Sequence, residues 1–173
     1  RQRRDTADLK LRYLATPDLA FDVSMKSTHK TGEMPWMASF GFSNAIEVPL
    51  DLNHRTNDIT TAMEWGNARG MLRLAYDGSW FDNNVQELVW DNPLRVTDQT
   101  HANAYSTGDG SALGRQDLWP NSTAHTFSTS GAFKLAGKTR VFGFASYGKW
   151  LQDDALLPFT INTAVDPGLL RLE

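Results

Sequence analysis

The sequence predicts an all-β fold, in the form of an antiparallel up-and-down transmembrane β-barrel of which this chain supplies about six strands. Three observations support this fold class. Apolar and polar residues alternate with a period of two over most of the chain, and no stretch keeps the period of a helix. The alternating stretches are about ten residues long, which is enough for a tilted strand to cross a bilayer and about twice the length of a typical globular strand.

The first hairpin covers residues 5–14 and 18–29. In its first strand Leu9 and Leu11 alternate with charged residues, and the second strand repeats this pattern. Pro17, whose ring fixes φ, stands in the turn beside an Asp that can bond the backbone locally. One face of this hairpin is therefore expected to be apolar and the other charged.

Two further hairpins follow the same rule. Residues 56–66 pair with 71–82, and residues 123–135 pair with 139–150, each around a short turn that contains Gly. In the last strand two Phe side chains share their parity with an Arg and a Ser, so its faces divide less cleanly than those of the other strands.

The connections between hairpins are long. We predict loops over residues 31–55, 91–123 and 151–173, the second of which is rich in Gly, Ser, Asp and Asn. Short turns at one end of the strands and long loops at the other are typical of outer-membrane barrels. Residues 1–173 are therefore treated as a single barrel segment.

Composition and motifs exclude several functions. Lys plus Arg number 17 and Asp plus Glu 20, a net charge of −3, which gives no reason to expect nucleic acid as a partner. The absence of cysteine excludes disulfides, thiolate nucleophiles and covalent haem attachment in this chain. No catalytic motif is present, so we predict neither an enzyme nor a bound cofactor. Calcium bound by Asp109, Asp117, Asp153 and Asp154 is a minor alternative, because no EF-hand pattern accompanies these carboxylates.

Several segments resemble a known family. They are Leu-Val-Trp-Asp-Asn-Pro at 88–93, Ala-His-Thr-Phe-Ser at 124–128, Thr-Arg-Val-Phe-Gly-Phe-Ala-Ser-Tyr-Gly at 139–148, and Gln-Asp-Asp-Ala-Leu-Leu-Pro-Phe-Thr at 152–160. Met-Ala-Ser-Phe-Gly-Phe-Ser at 37–43, leading to Glu-Val-Pro at 47–49, looks like an upstream segment of the same family. In sequence order these segments resemble the decahaem-associated outer-membrane proteins of the MtrB/PioB family. That family's barrels are several times longer, so we expect this chain to be an internal part of a longer barrel.

The resemblance implies a location and a function. The location is the bacterial outer membrane, with outer-membrane lipid around the barrel. The function is to hold a periplasmic multihaem c-type cytochrome in the lumen, so that electrons pass from haem to haem across the membrane. An extracellular multihaem cytochrome is a further candidate partner. Haem is then carried by the partner and not by this chain. A barrel without a free strand edge provides the dry insulating wall that such a wire needs.

The resemblance also suggests which residues meet the partner. The charged faces of the first two hairpins would look inward, and their mixture of signs suits a protein partner better than a selective ion pore. In the last strand we expect Phe142 and Phe144 to face lipid and small residues to face inward, where a partner can approach the backbone closely. The candidates for the lumen-facing or partner-facing surface are Lys10, Arg12, Asp22, Lys26, Asp58, Glu64, Arg73, Asp77 and Gly143.

Two other functions remain open at this stage. A diffusion porin or transport barrel without a cytochrome has the same strand pattern, and copurification of a haem protein distinguishes the two. A soluble, glycan-binding β-sandwich belongs to another class, and its apolar strand faces would meet in one core.

Overall fold

The chain is described by a computed structural model that covers residues 1–39, 45–92, 97 and 112–157. Within these residues it forms strands and no helix, and so has no helix long and apolar enough to cross a membrane. The strands are β1 (Gln2–Thr16), β2 (Leu19–Ser39), β3 (Ala45–Asn67), β4 (Gly70–Asn83), β5 (Glu87–Asp91), β6 (Leu113–Asp117), β7 (Ser122–Lys134) and β8 (Arg140–Leu151).

Six of the strands form one antiparallel sheet in the order β1-β2-β3-β4-β7-β8, and β5 and β6 form a separate two-stranded ribbon. The three predicted hairpins are confirmed as β1–β2, β3–β4 and β7–β8. In the described residues β1 and β8 are the free edges of an open sheet, and apart from the β5–β6 ribbon at one end no sheet covers it as in a sandwich. The architecture is that of a segment of an antiparallel barrel.

The predicted loop over residues 31–55 is wrong in most of its length. β2 runs on to Ser39 and β3 begins at Ala45, and the two strands stay in register throughout. Pro35 lies directly opposite Pro49 in this extension. Both prolines are tolerated because β1 and β4 end before this point, so neither strand has a second neighbour that needs a donor there. Proline at these positions is therefore compatible with a strand.

The other two predicted loops differ less from the structure. Within residues 91–123 the short strand β6 pairs with β5, and β7 already begins at Ser122. A five-residue polar strand carries too little alternation to be recognised from sequence. Residues 152–157 contain no strand, and residues 158–173 lie outside the described part of the chain.

The three short turns lie at one end of the sheet and are staggered in one direction. The β1–β2 turn follows the pair Thr16–Leu19, and Leu19 itself lies opposite Trp65. The β3–β4 pairing continues two residues further, to Asn67 and Gly70. Phe133 of β7 lies opposite Gly70, and the β7–β8 pairing continues one residue beyond it, to Lys134 and Arg140. A progressive stagger of this kind is the shear that lets a sheet close into a barrel.

The best buried apolar cluster lies at the other end of the sheet. Leu50, Leu88 and Leu118 form it, and Trp36 and Val48 pack against it. Leu50 belongs to the β2–β3 extension, whereas Leu88 lies on β5 and Leu118 directly follows β6. The ribbon is therefore folded against the extension rather than free.

Candidate functional site: the two faces of the sheet

Strand register divides the sheet into two faces. Residues directly opposite each other in an antiparallel pair project to the same side, and side chains alternate along each strand. From β2 to β8 the pairs follow without a register shift, and the one irregularity lies at the end of β1. Parity can therefore be followed across all six strands.

Eight of the nine sequence-predicted site residues lie on one face, which we call the charged face. These eight are four basic and four acidic side chains: Lys10, Arg12, Lys26 and Arg73, and Asp22, Asp58, Glu64 and Asp77. Their common side is confirmed by the register. Which compartment this side looks into stays a prediction.

An ion-pair ladder crosses four strands of the charged face. Arg12 donates through Nη1 to Asp22 Oδ1 at 3.2 Å and through Nη2 to Glu64 Oε2 at 2.9 Å. Arg73 Nη1 donates to the other oxygen of Glu64 at 2.7 Å. These side chains are partly exposed, so each pair contributes only about 0–1 kcal/mol to stability. These ion pairs change the charge of the surface more than the stability of the fold, because opposite charges neutralise each other before any partner binds.

Hydroxyl groups bind two further carboxylates of the same face. Thr60 Oγ1 donates to Asp77 Oδ1 at 2.6 Å, and Ser79 Oγ donates to Asp58 Oδ1 at 2.7 Å. Each bond joins β3 to β4. The sequence could not show these contacts, because they depend on the register between neighbouring strands.

The prediction for β8 is wrong. Gly143 lies opposite Gly131, which lies opposite Leu72, so Gly143 belongs to the side away from the charged residues. Phe144 lies opposite Ser130, which lies opposite Arg73, so the two Phe side chains are on the charged face. Hydrophobicity alone was used to orient this strand, whereas the β7–β8 turn fixes the register.

The opposite side, which we call the apolar face, carries a continuous apolar band. One row across the six strands reads Leu11, Val23, Thr61, Tyr76, Phe127 and Tyr147, and the next reads Tyr13, Phe21, Met63, Leu74, Thr129 and Ala145. Several of these side chains are more than half exposed, as Tyr13 at 68% and Tyr147 at 71% illustrate. An apolar surface of this extent marks contact with a membrane or another protein.

The band shifts along the strands. On β1 the apolar band spans Ala7 to Tyr13, and on β8 it spans Val141 to Tyr147. Tyr13 lies in the same row as Ala145, so the band on β8 ends four residues closer to the short turns than the band on β1. A level band on strands tilted by about 40° moves by roughly one residue per strand, since neighbouring strands lie about 4.8 Å apart. The shift therefore agrees in direction with the stagger of the turns and in size with the tilt of a membrane barrel.

Comparison with known protein families shows to which family the chain belongs. A family model described as "Putative outer membrane beta-barrel porin, MtrB/PioB" matches residues 1–170. The chain belongs to the MtrB/PioB family. A comparison with curated proteins finds no match. The resemblance noted in the sequence is thus confirmed.

Membership of the MtrB/PioB family places the chain in the bacterial outer membrane. We therefore expect the apolar band to be the surface that meets lipid. In barrels of this membrane short turns lie on the periplasmic side and longer connections outside. By this rule we expect the turns after β1, β3 and β7 on the periplasmic side, and the β2–β3 extension and the β5–β6 ribbon at the outer end.

An aromatic cluster closes the lipid-facing band of this MtrB/PioB barrel near its outer end. Tyr76 Oη lies 2.8 Å from His125 Nδ1, and Trp80 meets the His125 ring edge-on. Gly78 between them on β4 has no room for a side chain, since a Cβ there would lie 2.6 Å from the Trp80 ring and 2.7 Å from Tyr76 Oη. Aromatic side chains at this level are typical of the headgroup girdle of membrane barrels.

His54 lies on the outer part of β3, beyond the apolar band of that strand. Its pKa is lowered from the ordinary value of 6.5, first by burial and then by the positive charges of Lys30, His29 and Arg4. Phe81 and Trp119 pack against its ring, and within the described part of the chain Nδ1 has no hydrogen-bond partner. His54 is therefore neutral near pH 7.

The described residues contain no group of three or more His, Asp or Glu side chains that could hold a metal ion. Among the calcium candidates, Asp154 Oδ2 instead accepts a hydrogen bond from the backbone N–H of Asn121 at 2.6 Å. Asp109 lies outside the described residues.

Proposed function

We propose that this chain forms part of the wall of an outer-membrane barrel that encloses a periplasmic multihaem c-type cytochrome, through which electrons cross the membrane. The wall acts as a sheath and not as an enzyme, and the haem groups belong to the partner. A second multihaem cytochrome outside the cell is the corresponding exterior partner. The observation that carries this proposal is the charge pattern of the charged face.

A selective pore exposes charge of one sign to the passing ion. In the rows of the charged face from the pair Asp8–Lys26 to the pair Glu64–Arg73 the signs are mixed, with four basic and five acidic side chains. Arg12, Glu64 and Arg73 neutralise one another through the ladder. Little net field is left to attract or select small ions. A surface of mixed, internally matched charges suits a large protein partner whose own surface is mixed in the same way.

Aromatic side chains of β8 support the same conclusion. Phe142, Phe144 and Trp150 lie on the charged face and are 85%, 73% and 77% exposed. Full burial of such a side chain contributes about 1.5–3 kcal/mol, so a water-filled lumen would be an unfavourable surrounding for three of them. An apolar patch on a protein in the lumen would cover them. β8 would then be apolar on both sides, as are strands that are covered on both faces.

The test is purification of the complete protein, as encoded in its own genome, from native outer membranes. We expect a c-type haem protein to copurify in stoichiometric amount, detected by its Soret absorption. The barrel freed from that partner should show no Soret band. The absence of any copurifying haem from mild-detergent extracts would overturn the proposal.

A pair of variants tests whether the cytochrome contacts the charged face. Phe144→Ser should lower the ratio of haem to barrel while leaving the amount of assembled barrel unchanged. The control is Met37→Ser, which changes a side chain that is 73% exposed on the side of the β2–β3 extension opposite to the charged face. Equal haem ratios in both variants would show that the partner does not touch β8.

A diffusion porin is the second candidate, because the family description itself names a porin. It predicts a conducting barrel without bound haem in the same preparation. The two candidates are thus separated by one absorption spectrum.

A further inference from the structure

We propose that the β5–β6 ribbon is an inward-folded constriction that narrows the outer mouth of the barrel against water-borne ions and small solutes. The inference rests on the proposed function in one respect, since it takes the charged face to line the lumen. It holds for a barrel with or without a cytochrome, because it concerns the wall alone.

The ribbon covers the same side of the sheet that carries the charged face. Trp36, Val48 and Leu50, which pack in the cluster with the ribbon, share their parity with Leu52 and therefore with Glu64 further along β3. Met37, an apolar side chain on the opposite side of the extension, is not in the cluster and is 73% exposed. If the charged face lines the lumen, the ribbon lies on the lumen side of the wall.

Polar contacts hold both ends of the ribbon. The side chain of Asn83 is buried and donates to the carbonyl oxygens of Val85 at 2.6 Å and Trp119 at 2.9 Å, which lie before and after the ribbon. Trp36 Nε1 donates to Gln116 Oε1 on β6 at 2.9 Å. The Trp36 and Trp119 rings meet edge-on at 6.0 Å. A pinned base and a buried apolar underside are typical of a fixed element rather than of a mobile loop.

The ribbon is large enough to matter for passage. Two β-layers pack face to face about 10 Å apart, so the ribbon backbone projects about 10 Å from the wall into the mouth. Its strands of five residues are about 17 Å long at about 3.4 Å per residue. In a lumen about 25 Å wide this obstructs about a third of the open area.

The experiment measures single-channel conductance of the complete protein, without partner, in planar bilayers. Leu88→Asp and Leu118→Asp each place a carboxylate in the buried cluster on the ribbon side, and neither residue belongs to a strand of the six-stranded sheet. We expect each variant to release the ribbon and to raise the conductance roughly 1.5-fold, in proportion to the area freed. The matched control is Val89→Asp on the exposed side of β5, which should conduct like the parent.

Protease cleavage between β5 and β6 reports release of the ribbon independently, and the heat-dependent mobility of the barrel on gels reports its assembly. Faster cleavage with unchanged conductance in both assembled variants would overturn the constriction, as would equal conductance gains in the control. Variants as resistant to cleavage as the parent would overturn the claim that this cluster holds the ribbon. Copurification of haem is scored separately, so a barrel without haem whose conductance still rises in Leu88→Asp would refute the sheath and retain the constriction.

Discussion

Arginine substitutions at two neighbouring positions of β8 test which side of this strand faces lipid. Gly143 lies in the lipid-facing band between Val141 and Ala145, whereas Phe144 lies on the charged face opposite Ser130. We expect Gly143→Arg to destabilise the barrel strongly and Phe144→Arg to be tolerated.

The magnitude follows from the surroundings of each position. A Cβ at Gly143 meets nothing within 4 Å, so the substitution introduces no clash and its effect comes from the lipid. An Arg facing lipid near the midplane costs about 2–4 kcal/mol. On the charged face of the barrel without its partner the new Arg lies in the row of Glu64 and Arg73, where water solvates it. The expected cost there is within about 1 kcal/mol.

The assay is urea unfolding of the complete protein in lipid vesicles, followed by Trp fluorescence. At about 1.4 kcal/mol per factor of ten, Gly143→Arg should lower the folding equilibrium constant roughly 30-fold to 1000-fold. Gly143→Ala is the control for the loss of glycine and should change stability by less than about 1 kcal/mol. A larger loss in Phe144→Arg than in Gly143→Arg would show that the orientation of β8 derived from the register is wrong.

Three further predictions use the same complete protein. Glu64→Gln leaves Arg12 and Arg73 without their shared carboxylate, so we expect the barrel without its partner to become more selective for anions in reversal-potential measurements. Glu33→Gln on the outer extension is the control and should leave the selectivity unchanged, and an unchanged selectivity in Glu64→Gln would refute the prediction. Gly78→Val should destabilise the barrel by about 1–3 kcal/mol in urea unfolding, because the new side chain collides with the Trp80 ring. Tyr76→Phe should cost about 0.5–1.5 kcal/mol, because His125 loses a hydrogen bond, and a variant as stable as the parent would contradict the corresponding prediction. The pKa of His54 is lowered in the folded protein, so the unfolded chain takes up its proton first as the pH falls through 6.5. Stability in urea unfolding should therefore decrease as the pH falls through 6.5, and His54→Asn should remove that part of the decrease.

The sequence predicted the membrane strands well because alternation is a local property. On β1 Asp8, Lys10 and Arg12 alternate with apolar residues and decide its orientation without reference to other strands. A similar alternation, with Ser, Thr and Ala among the charged residues, orients β2, β3 and β4. The β2–β3 extension is harder to predict, because Pro35 and Pro49 would break a central strand and are harmless at an edge. Whether a strand has one neighbour or two cannot be determined from its own residues.

The candidate site shows the same division. Eight charged side chains could be assigned to one face by parity, whereas the ladder from Arg12 to Arg73 depends on the register between four strands. Gly143 was placed on the wrong side because the two Phe residues next to it were taken to mark lipid. A single-residue difference in register exchanges the two faces, so a strand with apolar residues on both sides has no orientation of its own.

The size of the barrel links the wall to its proposed contents. Strands about 4.8 Å apart and tilted by about 40° each contribute roughly 6 Å of circumference, so six strands contribute roughly 36 Å. Closed on themselves, they would leave an interior that side chains alone fill, because even eight strands leave no more room than that. A protein partner about 25 Å across, with wall side chains around it, needs a circumference of about 110 Å and therefore about 18 strands. The sheath proposal thus requires further strands to pair with the free edges of β1 and β8. A cysteine pair across the β8 edge that cross-links within one complete barrel would support this arrangement, and a complete barrel of eight strands would have no space for a cytochrome.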